Sequence, residues 1–238
     1  MNITCVSGFW NIKNKHGNAG NAFYSWFKNT LQINCPYVFF CSKEMIEIIK
    51  SFRKELPTYF IECNIDEFYT YKYKNEVLLD PLHCPSVELN LIWNEKIFLL
   101  QKASIINPYN SEYFVWVDAG LCTYRHNSPP SAIFPNVNKL NCLSKDKFNY
   151  SSSQLAIYDE KKFNTDNVYN HHVSGTYVLH KNIIDKVVDL YKIYLDKLVL
   201  NKNILITDQI VLTYIYNDNK ELFNKVCHGY GEIIRNLY

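Results

Sequence analysis

Short apolar runs alternate with amphipathic stretches over the first 62 residues of the chain. Residues 2–7, 36–41 and 58–62 are rich in β-branched, aromatic and other apolar side chains, and we expect each of them to form a strand. Residues 21–31 and 43–54 lie between these runs and carry apolar side chains at helical spacing. This alternation predicts a Rossmann-like α/β fold, with a mixed, mainly parallel sheet and helices on both faces.

The longest helix and the most apolar strand are predicted in the middle of the chain. After an irregular stretch over residues 69–84, a strongly apolar helix runs from residue 86 to about 107, and Pro108 ends it. Residues 113–117, Tyr-Phe-Val-Trp-Val, show no polar alternation. Such a run is typical of a central strand that is buried on both faces.

The C-terminal half repeats the mixture of strands and helices. We expect a strand over residues 173–180, a helix over 183–198 and a further helix with Thr207 as its N-cap. The segment around residues 151–153 is expected to be a loop, and residues 226–238 a tail. A length of 238 residues fits one α/β domain, or one domain with a small appendage, and we interpret residues 1–238 as a single domain.

Composition excludes several classes of protein. Hydrophobic residues make up 47% of the chain and charged residues 20%, as in ordinary folded proteins, and the net charge is only +2. No strong basic field is present, so a nucleic-acid partner is not expected. The N-terminus lacks a charged and then apolar leader, and no apolar run approaches the roughly 18 residues of a membrane span. We therefore expect a soluble protein without a transmembrane segment.

The cysteines indicate the compartment. The eight cysteines form no C-x-x-C pair, and most of them lie inside apolar runs such as residues 35–41. This pattern favours small buried thiols in a reducing compartment over a disulfide framework or a zinc site. We therefore expect a cytoplasmic protein.

Glycine is used sparingly, which makes its positions informative. The chain has seven glycines, below the average usage of about 7%. They fall in four places: the loop after the first strand (Gly8, Gly17, Gly20), Gly120, Gly175, and Gly229 with Gly231. Three of these places lie at or beside predicted strand ends, where open α/β sheets bind their ligands. The alternative is that these glycines only form turns.

Two carboxylates lie at positions suited to chemistry. Asp118 closes the apolar strand, and an unpaired carboxylate there is too costly to bury. Hard oxygen ligands of this kind suit Mg²⁺ or Mn²⁺ that bridges a diphosphate, whereas the alternative is a turn or cap residue. Asp208 stands in the first turn of a predicted helix, where the helix dipole alone also favours a negative charge. The adjacent Gln209 can both donate and accept, as a sugar-binding group should.

A family resemblance follows from these blocks. Residues 114–120, Phe-Val-Trp-Val-Asp-Ala-Gly, with Asn-Pro-Tyr at 107–109, resemble the F-V-W-(I/V)-D-A-G signature of the HtrL/YibB-like (WlaTC/HtrL) glycosyltransferases. Residues 3–10, 173–176 and 207–209 are similar to further blocks of that family in the same order. The resemblance spans nearly the whole chain, and the W-V-D-A-G block is its most specific part.

The resemblance implies a GT-A fold and an enzyme that transfers a sugar from a nucleotide-sugar donor, UDP-linked, to a glycan or other hydroxyl acceptor. Such enzymes often make surface polysaccharide or lipid-linked glycans. They usually carry D-x-D at a strand end to hold a metal and the diphosphate. Here Gly120 stands in place of the second carboxylate, so Mn²⁺ or Mg²⁺ is expected with one acidic ligand missing. Asp208 and Gln209 look like the D-Q pair beside the anomeric carbon, and residues 228–231 are similar to a C-terminal H-x-x-G metal or phosphate motif.

These parallels assign a role to each candidate residue. Asp208 and Gln209 are the predicted catalytic residues, and Asp118 with His228 the predicted metal ligands. Ser174 and Gly175 are expected to approach the acceptor. Residues predicted to bind the donor are Ser7, Gly8, Phe9, Lys96, Asp118, Ala119 and Gly120. Lys96 is a charge on an otherwise apolar helix, and the alternative for it is a side chain that snorkels to solvent.

Two other classes of function remain open. One is a non-catalytic GT-A-like domain that binds a nucleotide or glycan, which the missing second carboxylate favours. The other is a structural or interaction protein, suggested by 19 tyrosines and 14 phenylalanines.

Overall fold

A computed structural model of the chain describes residues 2–14, 16–153, 171–199 and 206–238. Over these residues the strands are β1 (Ile3–Phe9), β2 (Lys13–Asn14), β3 (Gly17–Asn18), β4 (Tyr37–Cys41), β5 (Thr58–Glu62), β6 (Tyr113–Trp116), β7 (Phe148–Ser152), β8 (Val173–His180) and β9 (Phe223–His228). The α-helices are α1 (Ala19–Thr30), α2 (Ile46–Arg53), α3 (Val87–Ile106), α4 (Val137–Asn141), α5 (Lys181–Val199), α6 (Asp208–Asp218) and α7 (Glu232–Leu237).

Seven of the described strands form one sheet in the order β5-β4-β1-β6-β8-β7-β9. Only β8 runs antiparallel to its neighbours, and the other pairs in this sheet are parallel. The predicted mixed, mainly parallel sheet is therefore confirmed, and β6 lies at its centre as its apolar sequence indicated. Because the strands share one direction, the ends of β1, β6, β7 and β9 meet the start of β8 at one edge.

Helices cover both faces of the sheet. Side chains alternate along each strand, so Val6 and Trp116 join one core cluster with α3, α5 and α6. Cys5 and Val115 join a second cluster on the opposite face with α1, α2, α4 and α7. The predicted helices on both faces are confirmed.

Strand β7 lies in a segment that was expected to be a loop. Its sequence, Phe-Asn-Tyr-Ser-Ser, looks polar, yet all five residues are buried. The Phe148 ring packs 4.8 Å from that of Tyr177, and the Asn149 amide donates to the carbonyls of Ser144 and Val178. Tertiary hydrogen bonds therefore satisfy polar groups that the sequence pattern assigned to solvent.

The C-terminal tail is also more ordered than expected. It forms β9 and then α7, whose Ile233, Ile234 and Leu237 are buried in the second core cluster. These apolar contacts anchor the end of the chain to the sheet, and so place the residues between β9 and α7 beside the strand ends.

The cysteines are free thiols in three environments. Five are buried, Cys122 and Cys142 are exposed, and Cys227 is intermediate. Within the described residues, no helix combines the length and the apolar character that a bilayer crossing requires.

Candidate active site

A cleft opens at the edge of the sheet where the strands end. It has two lobes, with volumes of about 340 Å³ and 180 Å³. The residues that line both lobes are Trp93, Lys96, Asp118, Gly120 and Arg125. Three of these five are charged, so the junction of the lobes is the most highly charged part of the cleft.

A buried ammonium group joins two carboxylates at this junction. Lys96 Nζ on α3 lies 3.1 Å from Asp118 Oδ1 and 3.0 Å from Asp208 Oδ2. The Lys96 and Asp208 side chains are only 8% and 7% exposed, whereas that of Asp118 is 44% exposed. The snorkelling alternative for Lys96 is therefore wrong, because two carboxylates hold its charge inside the protein.

Each carboxylate is fixed by the element that carries it. Asp118 follows β6, and the Trp116 indole Nε1 donates to its Oδ1 at 2.8 Å. Asp208 is the first residue of α6, whose N-cap Thr207 accepts from the Ile210 amide, as predicted. In the described part of the chain, both of these contacts to the Asp118 side chain use Oδ1, which leaves Oδ2 for a ligand.

The surroundings of Lys96 keep it charged, and those of Asp208 shift its pKa. Burial disfavours the ammonium, but Asp118 and Asp208 outweigh burial and raise the pKa of Lys96 above its usual value. Burial raises the pKa of Asp208, opposed by Lys96 and reinforced by Asp118. Perturbed groups in a cleft are typical of functional sites.

Two glycines let other groups approach this junction. An ideal β-carbon at Gly175 would lie 3.1 Å from Asp208 Oδ2 and 3.3 Å from Lys96 Nζ, so the bare backbone faces the ion pair. At Gly120 a β-carbon would lie 2.9 Å from ring atoms of both Phe23 and Trp26. The space that a second D-x-D carboxylate would need is filled by these two rings of α1.

The smaller lobe is aromatic. Its lining includes Phe9, Trp10, Phe23, Trp93 and Trp116. The Phe9 and Phe23 rings lie 5.2 Å apart, and the Trp10 indole is anchored by a 2.8 Å hydrogen bond to the Cys63 carbonyl. Flat apolar surfaces with this geometry can stack against a planar ligand.

The larger lobe is polar and contains a histidine–tyrosine pair. His171 Nε2 and the Tyr230 hydroxyl lie 2.6 Å apart, and both residues line the lobe with Gln209. Burial lowers the pKa of His171 to about 4, so its imidazole is neutral near pH 7. Burial raises the pKa of Tyr230, which therefore keeps its proton. The pair can exchange hydrogen bonds with hydroxyl groups of a ligand without adding charge.

Most of the predicted site residues line the cleft. Gly8, Phe9 and Ala119 border the aromatic lobe, whereas Gly175, Asp208 and Gln209 border the polar lobe. Lys96, Asp118 and Gly120 border both.

Three predicted residues do not line either lobe. Ser7 is fully buried in β1, and Ser174 is buried with its hydroxyl bonded to Ser151 Oγ. His228 is exposed at the end of β9, and its Nδ1 lies 2.9 Å from Ser152 Oγ. The backbone turn after β9 places Tyr230 in the cleft instead of His228. Sequence reasoning also missed Arg125 and His171, which reach the cleft from segments without a strand or helix signal.

The residues fit a divalent cation only with help from a ligand. Among the described residues, no group of three or more histidine, cysteine or acidic side chains could hold a metal ion. Asp118 Oδ2 is one suitable oxygen. A Mg²⁺ or Mn²⁺ ion here would take its remaining ligands from phosphate oxygens and water.

Fold and cleft together define the class. A mostly parallel seven-stranded sheet between helices, with a charged cleft at the strand ends, is a GT-A-like fold. Core-mannan synthase A from Aspergillus fumigatus, solved in its Mn/GDP form, has a similar fold with a TM-score of 0.54 and 11% identity, over 96% of this chain and 72% of its own. A 4-diphosphocytidyl-2C-methyl-D-erythritol synthase from Anaerococcus prevotii DSM 20548 aligns over 96% of this chain and 86% of its own, with a TM-score of 0.45 and 10% identity.

The chain belongs to the HtrL_YibB family, described as a bacterial protein of unknown function, which matches residues 42–235. Protein HtrL of Escherichia coli (strain K12) is 24% identical over an alignment of 258 positions, which covers 96% of this chain and 84% of that protein. The predicted family and the predicted GT-A-like fold are both confirmed.

Proposed function

We propose that this protein is a glycosyltransferase that moves a sugar from a nucleotide-sugar, UDP-linked, onto a hydroxyl group of a glycan or lipid-linked acceptor. The observation that carries the proposal is the junction of the two lobes at Lys96 and Asp118. An aromatic lobe on one side suits a nucleobase, and a polar lobe on the other suits sugars. The diphosphate of the donor would then lie at the charged junction.

The polar lobe supplies groups that the reaction needs. Glycosyl transfer passes through an oxocarbenium-like transition state, which a nearby negative charge stabilises. Asp208 and Gln209 line the polar lobe, where they would face the sugar, and Lys96 contacts both Asp208 and Asp118. Because burial raises the pKa of Asp208, it is also a candidate to take the proton of the acceptor hydroxyl.

The proposal includes a Mn²⁺ or Mg²⁺ ion only as a group that the cleft could hold. When bound, such an ion would neutralise the leaving diphosphate. Asp118 Oδ2 is the oxygen that we expect to hold it, and His228, which lines neither lobe, would have to move into the cleft to become a second ligand.

The test is turnover of nucleotide-sugars by the wild type and by Asp118→Asn. We expect the wild type to release nucleoside diphosphate from a UDP-sugar, and the variant to lose most of this activity because one ion-pair partner and the free Oδ2 charge disappear. Asp189→Asn is the control, since Asp189 is 72% exposed on α5 and pairs only with Lys192 among the described residues. A folded wild type that binds nucleotides without turnover would favour the non-catalytic binding domain, and equal turnover in Asp118→Asn would contradict the proposal.

A further inference from the structure

Arg125 is held at the junction of the two lobes by contacts to one part of its side chain. Its Nε donates to the Gly120 carbonyl at 2.8 Å, and its guanidinium lies 4.1 Å from the centre of the Trp26 ring. The amide of Asn29 also donates to the Arg125 carbonyl, at 3.2 Å. These contacts fix both the backbone and the plane of the guanidinium before any ligand binds.

The terminal nitrogens of this guanidinium are uncommitted. Within the described part of the chain, no hydrogen bond or ion pair occupies Arg125 Nη1 or Nη2. Lys96, the other cation of the junction, is already paired with Asp118 and Asp208. Arg125 lines both lobes, which puts it next to a ligand in either one.

The other two arginines of the chain have different surroundings. Arg53 is buried, and its guanidinium donates to the carbonyls of residues 31, 33, 35 and 57. Arg235 is on α7, 58% exposed, and pairs with Glu232. Arg125 alone among the three combines a fixed orientation with a free donor edge, which matches two oxygens of a phosphate group.

We propose that Arg125 binds the donor diphosphate directly, so that part of the diphosphate affinity requires no divalent cation. This rests on the proposed function for the identity of the donor, but it concerns only the diphosphate. The geometry explains how the site works with Gly120 in place of a second carboxylate. The rings of Phe23 and Trp26 fill that space, and Trp26 then supports a cation whose charge opposes that of the ligand.

Inorganic pyrophosphate tests the proposal without assuming a base or a sugar. Its binding is measured by titration calorimetry on the full chain, in EDTA and then with Mn²⁺. In EDTA we expect the wild type to bind, and Arg125→Ala to bind about 10- to 100-fold more weakly, as for loss of one or two hydrogen bonds from a charged group. Arg125→Lys keeps the positive charge but loses the paired terminal nitrogens of the guanidinium. We therefore expect an intermediate loss of pyrophosphate affinity.

Control variants distinguish the contact between Arg125 and pyrophosphate from a general effect of charge and from a loss of folding. Arg235→Ala removes one positive charge outside the cleft and should leave pyrophosphate affinity within twofold of the wild type. Trp26→Leu keeps Arg125 but removes the ring beneath it, so its affinity should fall by less than that of Arg125→Ala. Thermal melts show which variants fold. If Arg125→Ala does not fold, the pyrophosphate affinity of Arg125→Lys tests the proposal.

Two outcomes would overturn the proposal: a wild type that binds pyrophosphate only with Mn²⁺, or folded Arg125 variants that bind as the wild type does. Failure of the proposed function looks different. Pyrophosphate would then bind through Arg125 in EDTA, while no nucleotide-sugar is turned over.

Discussion

Lys96 is the residue that allows two carboxylates to share one cleft. Its ammonium lies within 3.1 Å of both Asp118 and Asp208, and it offsets the cost of burying the Asp208 carboxylate. Removal of one acid leaves Lys96 paired with the other. Single substitutions of these acids therefore change the charge at the junction without leaving a buried cation unpaired.

Asp208→Asn separates a catalytic from a structural role. If the Asp208 carboxylate acts on the sugar or the acceptor, the variant should lose turnover by orders of magnitude while donor affinity stays close to wild type. If Asp208 only stabilises the start of α6 and the buried Lys96 charge, the change should lower stability and leave turnover alone. Melting temperature and turnover measured on the same sample decide between the two, and unchanged turnover would remove Asp208 from the mechanism.

The sequence predicted single residues of the cleft where they adjoin a strand or helix that the apolar pattern indicates. Asp118 and Asp208 each adjoin a clear element, and so they were found. Tyr230 was missed in favour of His228, two residues earlier, because the turn between β9 and α7 decides which side chain enters the cleft. For Arg125 the sequence offered one indication of a role in the site. It lies seven residues after Asp118 and is one of three arginines in the chain.

Helix α3 shows how one element serves both the fold and the site. Ser86 caps its start by accepting from the Leu89 amide, and Asn107 ends it in the left-handed conformation. Lys96 reaches the cleft from this helix, while the preceding Glu95 accepts from the amides of residues 69 and 70 and from the Thr70 hydroxyl. The helix thereby connects the irregular segment before it to the wall of the cleft.

Glu95 makes stability depend on pH. Burial raises its pKa from 4.5 to about 7, against the hydrogen bonds from Thr70 and Tyr69. The folded state therefore holds this proton more tightly than the unfolded state does. The stabilisation is complete below pH 4.5 and is lost as the pH rises through 7, by about 3 kcal/mol in total.

Urea unfolding of the wild type and of Glu95→Gln checks this sign. Between pH 4.5 and 8, the stability of the wild type relative to the variant should fall by about 3 kcal/mol. Glu88→Gln is the matched control, because Glu88 lies on the same helix and is exposed. A difference between wild type and Glu95→Gln that stays constant with pH would show that Glu95 does not titrate in this range.

At the scale of the element, the pattern of apolar residues predicted most of the architecture. Strands such as β6 and β8 and helices such as α3, α5 and α6 follow from it. Strand β7 did not, since its Asn149 and its serines are buried by hydrogen bonds to distant parts of the chain. No local pattern encodes such long-range partners.

At the scale of the whole molecule, the cleft lies across the ends of several strands and three helices. A ligand that fills both lobes would contact β1, α1, α3 and α6 at once, so its binding should stabilise the folded chain as a unit. This is a property that an interaction protein with a merely aromatic composition would not share.

A thermal-shift panel of UDP, GDP, CDP, ADP and TDP tests this linkage. A nucleotide at about 100 times its dissociation constant adds about 2.7 kcal/mol to the stability of the folded state. For a chain of 238 residues we expect a rise of roughly 5–10 °C in melting temperature for the best nucleotide. The free nucleosides are the control and should give smaller shifts, because they lack the diphosphate. A panel without any shift would favour the structural or interaction protein.

The packing around Gly120 also constrains how this sequence can change over evolutionary time. Ring atoms of Phe23 and Trp26 lie 2.9 Å from where a β-carbon would be, so an aspartate at position 120 clashes unless helix α1 changes first. A smaller residue in place of Trp26 would in turn deprive Arg125 of its support. The effects of substitutions at positions 26, 120 and 125 therefore depend on one another. A lineage that acquires D-x-D at this site must pass through a sequence that has neither the second carboxylate nor a supported Arg125.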